Sequence, residues 1–464
     1  MSSLYTHFLR NIVLPIGSNL VGYGEVMPHL RRLERSQWWS PQEIRELQNR
    51  KLRRLIHHVY RHVPFYRRVF DERGLTPDDI RTTDDLVKLP IVDKRIITRH
   101  YQEEMRDHSI PKSKLIHATS SGSTGEKLQY WTTRRQKAMK WAGMFRWWEL
   151  TGYEFGKPYA TFQVSPNRGL VGLPVLEKLE WLMLRHTWIT PFVMNEEIFD
   201  NYVRELENSK AVMLRAYASV IYYLSRYMVE HGYNVHIPAI TTTGETLTPH
   251  MRETIEQAFA PGRVFDDYGA DGMQIAAECD HHDGMHINAE TVFVEIIRDG
   301  ERVPEGELGE IVLTNLDATA VPFIRYNVQD VGILDTSPCA CGRGLPRFSH
   351  VEGRLTDMFV TPDGHWLSVH QFTGFFSKFK PVRAFQVIQK EVDLIVVKMV
   401  VEEGYTEEDE RTIRERFRQY VGPDTRFLFE YVDEIPATPT GKRRFFISEV
   451  ITGTENTLGP VNRP

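Results

Sequence analysis

The stretch "AITTTGETLTPHMRETIEQAFAPGRVFDDYGADG", residues 239–272, decides the fold. It opens on a β-branched run that ends at Gly244-Glu245. A segment with helical periodicity follows, "PHMRETIEQAFA". The chain then returns to an apolar run, "RVFDDYG", and closes on a glycine-containing loop. Strand, loop, helix and strand in so short a span make a βαβ unit. The same alternation runs upstream. "YATFQV" and "AVMLRAYA" have strand character, and "NYVRELENS" and "ASVIYYLSRYMVEHG" have helical character. The domain from about 115 to 350 is therefore expected to be α/β with a largely parallel sheet. Ligands of such sheets bind outside the carboxyl ends of the strands, where the glycine and hydroxyl loops fall.

Residues from about 28 to 110 are predicted to be helical and basic. Ser40-Pro41-Gln42-Glu43 forms a capping box with proline at the first helical position. Ile44, Leu47, Leu52, Leu55, Ile56 and Val59 then follow with helical spacing. The basic run "RKLRRLIHHVYRH" lies on this amphipathic helix, so a solvated face explains it better than an anionic partner. Beyond the parallel strands, "TVFVEIIRDGERVPEGELGEIVLTNL" and "PFIRYNVQDVGIL" are rich in β-branched residues and broken by "DG" and "PEGELGE" turns, the pattern of an antiparallel or barrel-like subdomain. After "VEGRLTDMFV" come a hairpin at "TPDGHW", strands at "RAFQVIQK" and "DLIVVKMVV", and a helix at "TEEDERTIRERFRQYV". The fold class expected is α/β. A large multi-layer N-terminal domain, residues 1–353, has mostly parallel sheets and a β-barrel-like subdomain. A small mobile α+β C-terminal domain covers residues 354–464.

Composition bounds the function. The 464 residues are 41% hydrophobic and 26% charged, ordinary for a globular enzyme. A net charge of -5 argues against nucleic acid as a partner. No apolar run approaches the ~20 residues that span a bilayer. The early "NIVLPIGSNLVG" is interrupted by Pro15 and Gly17, is poor in flanking charge and lacks a clear cleavage site, so a cytoplasmic protein with an N-terminal arm is expected.

"TSSGSTGEKLQ", residues 119–129, holds two glycines, a run of hydroxyls and one lysine. Gly122 and Gly125 are too close for a Walker loop, and leucine follows Lys127. Its backbone N–H groups could cradle a polyphosphate, or the stretch could be a flexible surface loop. Four further elements bear on the choice: "DYGADG" at 267–272, "RYNVQD" ending in Asp330, "EGRLTD" carrying Arg354, and "PTGKRR" carrying Lys442. In this order and spacing the five elements resemble the adenylate-forming superfamily of acyl-CoA synthetases. Within it, "ECDHHDGMHIN", "PEGELGEIVLT" and "CACGRGLPR" resemble the phenylacetate–CoA ligase branch and its CapK-type relatives.

The resemblance implies a chemistry and a set of roles. Hydroxide is a poor leaving group, so an acid is first activated as an acyl-adenylate with release of pyrophosphate. A thiol, coenzyme A, then takes the acyl group. Ser120, Ser121, Gly122, Ser123, Thr124 and Gly125 match the loop that grips the outer phosphates, with Thr124 toward phosphate or Mg²⁺. Gly244 and Glu245 match the adenine-side loop. Asp267, Tyr268 and Gly269 match the motif whose tyrosine stacks on adenine. Asp330 would accept the ribose hydroxyls, a role for an acceptor-only carboxylate. Arg354 would contact ribose or phosphate. Lys442 would bridge carboxylate and α-phosphate, a role suited to a compact charge on a flexible stem. A rotation about residues 355–357 would link the two half-reactions.

Taken singly, each of these residues also has a structural explanation: a surface lysine, a turn aspartate, a core tyrosine. Three departures from the family pattern stand out. Glu126 occupies the place of a lysine, with Lys127 after it. Asp271-Gly272 stands where a Mg²⁺-holding glutamate is usual. Thr356 replaces one of two hinge aspartates. The partners expected are ATP, Mg²⁺, a small-molecule carboxylic acid and coenzyme A or another acyl acceptor, with a homodimer among the assemblies open to it. An amine or hydroxyl acceptor, and a degenerate binding protein, are the competing readings. Trp131, Phe162, Tyr217 and Phe192 are candidates for an aryl or acyl pocket, or for core packing.

The three cysteines are Cys279, Cys339 and Cys341. With His286 they would make a closed tetrahedral site of structural Zn²⁺, as the branch resembles proteins that have one. His281 and His282 are alternative ligands, and three buried inert thiols are the alternative without a metal.

Overall fold

The computed structural model describes residues 5, 7–13, 24–119, 128–154, 156–162, 184–191, 196–354, 359–360, 366–367, 381–422, 424–436 and 444–450. The strands before and within the main sheet are β1 (Ile116–Thr119), β2 (Gln129–Thr132), β3 (Tyr159–Phe162), β4 (His186–Ile189), β5 (Met213–Tyr217), β6 (Ala239–Thr243), β7 (Arg263–Ala270), β8 (Met273–Glu278), β9 (Met285–Ile287), β10 (Val292–Arg298), β11 (Glu301–Arg302), β12 (Leu308–Asn315), β13 (Tyr326–Asp335) and β14 (Arg347–Arg354). β1 and β2 pair antiparallel as a separate two-stranded sheet. The other twelve form one sheet, ordered β11-β10-β12-β13-β14-β9-β8-β7-β6-β5-β3-β4.

That sheet is mixed. β4, β3, β5, β6 and β7 run parallel, and every pairing from β7 to β11 is antiparallel. The sequence expectation of mostly parallel strands holds from β3 to β7 alone. The segment expected as a barrel-like subdomain continues the same sheet: the connections β7–β8, β8–β9, β10–β11, β12–β13 and β13–β14 join antiparallel neighbours, and β9 pairs with β14.

Side-chain alternation explains the cover on both faces of the parallel half. Leu214, Ala216, Ile240 and Val264 pack with the helices Glu196–Ser209, Ala218–Glu230 and Pro249–Ala258. Met213, Ala239 and Phe265 pack on the opposite face, with the helices Val26–Ser36 and Arg134–Leu150. The antiparallel half is covered by the Pro41–His62 and Pro64–Glu72 helices, in a core that includes Leu52, Leu55, Ile56, Val59 and Phe70.

The expected capping box closes the Pro41–His62 helix: Glu43 N donates to Ser40 Oγ and Ser40 N to Glu43 Oε2. On its inner face Leu47 is only half-buried, and Gln48 is buried instead, donating Nε2 to Ala289 O at 2.9 Å. From the basic run, Arg53, Arg54 and Arg61 face solvent, while Lys51 reaches Asp317 at 2.5 Å. Among the described residues no helix is long and apolar enough to cross a membrane.

The C-terminal part holds a short pair, β15 (Phe359–Val360) and β16 (Trp366–Leu367), and a four-stranded sheet of β17 (Val382–Glu391), β18 (Leu394–Val401), β19 (Arg426–Tyr431) and β20 (Phe446–Ser448), in the order β19-β18-β17-β20. The Glu407–Val421 helix crosses between the parallel strands β18 and β19 and buries Ile413 and Phe417 on the sheet. Thr406 and Asp409 cap it reciprocally, and four acidic residues fill its first turn, where the helix dipole favours them.

Candidate active site

The site forms where the parallel strands end and the sheet turns antiparallel. β7 and β8 are joined by the two-residue turn Asp271-Gly272, with φ 46° and 79° and Ala270 paired to Met273. Two positive φ values in succession are the type I′ geometry that Asp-Gly favours. The turn holds Asp271 at the head of the sheet, where its Oδ2 accepts from the Tyr326 hydroxyl at 2.5 Å. Burial, reinforced by the charge of Asp271, pushes the Tyr326 phenol well above its ordinary pKa.

Tyr268 and Asp330 meet here. The Tyr268 hydroxyl donates to Asp330 Oδ2 at 2.6 Å, across 62 residues of sequence. Asp330 lies where the β12–β13 register shifts, next to Gln329, whose φ is 67°. Asn327 stabilises that bulge by accepting the Gln329 N–H at 2.7 Å. Bulges re-aim side chains, and this one presents Asp330 to the tyrosine. Asp330 is also the cross-strand partner of Arg354 on β14. The Arg354 side chain lies outside the described residues, as do Ser120, Ser121, Gly122, Ser123, Thr124, Gly125, Glu126, Lys127, Thr356, Asp357 and Lys442.

Gly244 follows β6 with φ 74°, and Glu245 turns back to accept the Ser219 N–H at 2.8 Å. Tyr217 offers no side-chain cap to the Ala218–Glu230 helix, so Glu245 caps it from the neighbouring loop. Thr246 Oγ1 donates to Glu352 O at 3.4 Å, tying this loop to β14. Asp267 points inward, accepting from Gln274 Nε2 and lying 3.4 Å from Arg215. Gly269 is needed for close packing, because a Cβ there would stand 2.9 Å from Met273 O.

β1 and β2 flank residues 120–127, with Thr119 paired to Gln129. Tyr130 on β2 abuts the β7–β8 turn: a Cβ on Gly272 would come 1.9 Å from its hydroxyl. The root of the hydroxyl loop, the Asp271 turn and the Tyr268–Asp330 pair are thus neighbours.

Comparison with known proteins gives a consistent result. Residues 359–449 match the CapK C-terminal domain. CapK of Staphylococcus aureus is 24% identical over 421 residues, 88% of this chain and 90% of that protein. A phenylacetate-coenzyme A ligase of Aromatoleum evansii is 28% identical over 341 residues, 69% of this chain and 72% of that protein. The chain is thus similar to CapK and to the phenylacetate–CoA ligases, and carries the CapK C-terminal domain over residues 359–449. A crystal structure of 2-hydroxyisobutyryl-CoA ligase in the postadenylation state shares the fold, with a TM-score of 0.72, 19% identity and cover of 90% of this chain and 92% of that one.

In this chain the cysteines converge with one histidine. The ligand atoms of Cys279, His286, Cys339 and Cys341 all lie within 4.8 Å of one another. Cys279 Sγ and Cys339 Sγ are 3.8 Å apart, and Cys341 Sγ is 3.2 Å from His286 Nε2. His286 Nδ1–H donates to Leu345 O at 3.3 Å, which leaves Nε2 as the lone-pair nitrogen facing the thiols. Burial takes the His286 pKa down to about 4. Burial, with the neighbouring thiols, takes Cys279 up to about 12. Cys341 is lowered: burial opposes its ionisation, but hydrogen bonds from Arg343 outweigh it. His281 is exposed, and His282 Nδ1 is engaged by Glu278 at 3.2 Å, so neither replaces His286 in the cluster.

Sequence reasoning missed Tyr326 and Tyr130. Tyr326 sits in the same "RYNVQD" hexapeptide as Asp330, and Tyr130 just beyond the hydroxyl loop. The candidate aromatic pocket does not assemble from the described residues. Phe162 is fully buried against Tyr202 in the core of the parallel half, and Trp131 packs on Tyr101 and His117. Tyr217 is half-buried at the end of β5, and Phe192 lies outside the described residues.

Proposed function

We propose that the protein is an AMP-forming acid–thiol ligase, which activates a carboxylic acid with ATP, releases pyrophosphate and passes the acyl group to coenzyme A. The observation that carries this reading is the Tyr268–Asp330 hydrogen bond, at the strand ends and beside the Asp271 turn. It joins an aromatic face suited to a purine to a carboxylate suited to ribose hydroxyls. Glu245 and Gly244 bound the adenine side. Ser120, Ser121, Gly122, Ser123, Thr124 and Gly125 are the residue types that would supply backbone and hydroxyl donors to the outer phosphates, and Arg354 is assigned to the ribose or phosphate. Lys442 offsets the charge that gathers as the acid oxygen attacks the α-phosphate. Asp271 is the residue that would hold Mg²⁺, with Oδ1 as the oxygen not bonded to Tyr326; the ion supplies charge neutralisation on the phosphates. We divide the chain at 353/354, so that the small domain brings Lys442 to the site for the first step and removes it for the second.

The Cys279, His286, Cys339 and Cys341 set fits a structural Zn²⁺. Thiolates about 2.3 Å from a tetrahedral zinc stand about 3.8 Å apart, the separation between Cys279 and Cys339. With four protein ligands the site would be closed, so an ion there would cross-link the chain after β8 to the β13–β14 connection and leave no position for substrate.

A second reading keeps adenylation and changes the acceptor to an amine or hydroxyl. The match to CapK covers 88% of the chain against 69% for the phenylacetate ligase, so the acceptor is not fixed by the ligase relatives alone. Pyrophosphate release against a panel of carboxylic acids, with Lys442→Ala as control, tests the adenylation step. A protein that binds ATP yet releases pyrophosphate with none of the acids would refute it. Mass analysis of the products with and without coenzyme A decides the acceptor.

A further inference from the structure

A cavity of about 360 Å³ lies between the first two turns of the Pro41–His62 helix and the main sheet. That is the scale of a small-molecule site, with room for a short acyl chain or one aromatic ring. It shares no lining residue with the Tyr268–Asp330 pair or the Asp271 turn. Its floor is apolar and buried: Ile44 from the helix, Ile287 from β9, Ala289, and Val292 and Val294 from β10. Leu334, at the far end of β13, forms a side wall.

The walls are held by polar ties. Gln48 Nε2 donates to Ala289 O at 2.9 Å, Ile287 N to Pro346 O at 2.8 Å, and Gly344 N to Gln37 O at 3.1 Å. The last approach needs glycine, because a Cβ on residue 344 would stand 1.9 Å from Trp39 O. The helix start, the chain around Ala289 and the segment before β14 are thus fixed to one another, and an occupant would meet a pre-formed site.

Among the described residues that line the cavity, Arg45 is the one ionisable group. It lies at the rim, 3.8 Å from Asp84, with side chains 62% and 71% exposed, and Asp84 is itself 3.4 Å from Arg302. A long, exposed pair of this kind contributes little, so exchanging Asp84 for a ligand carboxylate costs little. The carboxylates that touch other lining residues already accept hydrogen bonds: Glu46 from Gln42 at 3.1 Å, and Glu305 from the Thr336 hydroxyl at 2.6 Å.

We infer that this cavity binds an amphipathic monocarboxylate, its apolar tail on the Ile44–Ile287–Val294 floor and its carboxylate on the Arg45 guanidinium. The site stands apart from the adenylating centre, and a chain that activated no acid at all would still carry it.

The test is isothermal titration of the full chain with octanoate. Arg45→Gln should weaken binding about tenfold, the loss of one charge-assisted hydrogen bond. Octanol, which has the chain without the charge, should bind the wild type and Arg45→Gln alike. From butyrate to hexanoate each added CH₂ should tighten binding about fourfold. Leu334→Trp fills the cavity and should abolish binding of both octanoate and octanol. Arg45 is exposed, so Arg45→Gln decides the matter even if the tryptophan variant fails to fold. Absence of octanoate binding to the wild type overturns the inference. So does octanoate binding that Arg45→Gln leaves unchanged, which would put the acid elsewhere, the adenylating centre included. An equal loss of octanol and octanoate in Arg45→Gln would refute the carboxylate contact.

Discussion

Gly272→Ala is the most direct probe of the turn that presents Asp271. Two costs can be separated. The φ of 79° lies in the left-handed region, where a Cβ costs about 1 kcal/mol. The second cost is steric: the new Cβ would stand 1.9 Å from Tyr130 Oη, which must move by more than an ångström. Tyr130 is not free to do so, because it is buried with its ring edge-on to Phe323 at 5.4 Å. Forcing such a shift costs about 2 kcal/mol, so Gly272→Ala should destabilise by about 3 kcal/mol in all. Tyr130→Phe removes the colliding oxygen and leaves Cζ at 3.2 Å, a contact that yields by a few tenths of an ångström. In that background the same glycine substitution should cost only its backbone part. The assay is a double-mutant cycle by urea unfolding, followed through tryptophan fluorescence. The coupling expected is about 2 kcal/mol. An equal cost of Gly272→Ala with and without the tyrosine hydroxyl would refute the reasoning.

Cys341→Ser should abolish zinc binding by elemental analysis and lower the melting temperature, whereas His281→Ala and His282→Ala should retain one zinc per chain; a well-folded wild type without metal would defeat the assignment. Arg146→Met should cost about 3–5 kcal/mol in urea unfolding, because it strands Glu290 in a pair whose side chains are 1% and 3% exposed, and adding Glu290→Gln should recover part of that loss. Asp107 gives an acid-sensitivity prediction: burial would raise its pKa, but hydrogen bonds from His58 and Ser109 outweigh this and hold it below the ordinary value. A depressed carboxyl stabilises the fold above its unfolded pKa of about 3.9 and loses that contribution as pH falls through the lower folded value. Asp107→Asn should therefore flatten the acid limb of stability below about pH 4, measured as the urea midpoint against pH.

The parts legible in sequence were those fixed by local periodicity. The βαβ unit at 239–272 declared itself because each strand alternates between two covered faces, and the helix between them has its own period. The Ser40–Glu43 cap was equally local. The Gln48 exchange was not, because burying an amide in place of Leu47 depends on Ala289 O, 241 residues away. The residue types of the site could be recognised from their motifs, but their meeting could not. Tyr268 reaches Asp330 only because β7 and β13 belong to one sheet, and that continuity rests on β9, three residues long. No periodicity can mark so short a strand. It can bridge β8 and β14 because Gly284, with φ 82°, lets the chain approach Phe348 O, where a Cβ would stand at 2.4 Å. The same strand carries His286, so the thiol–imidazole cluster sits on the seam between the parallel and antiparallel halves. Cys279 ends β8's side of that seam, and Cys339 and Cys341 precede β14 on the other. Whatever holds those four ligands together also holds β7 in register with β13, and loosening the cluster should be felt at the Tyr268–Asp330 pair before the rest of the sheet.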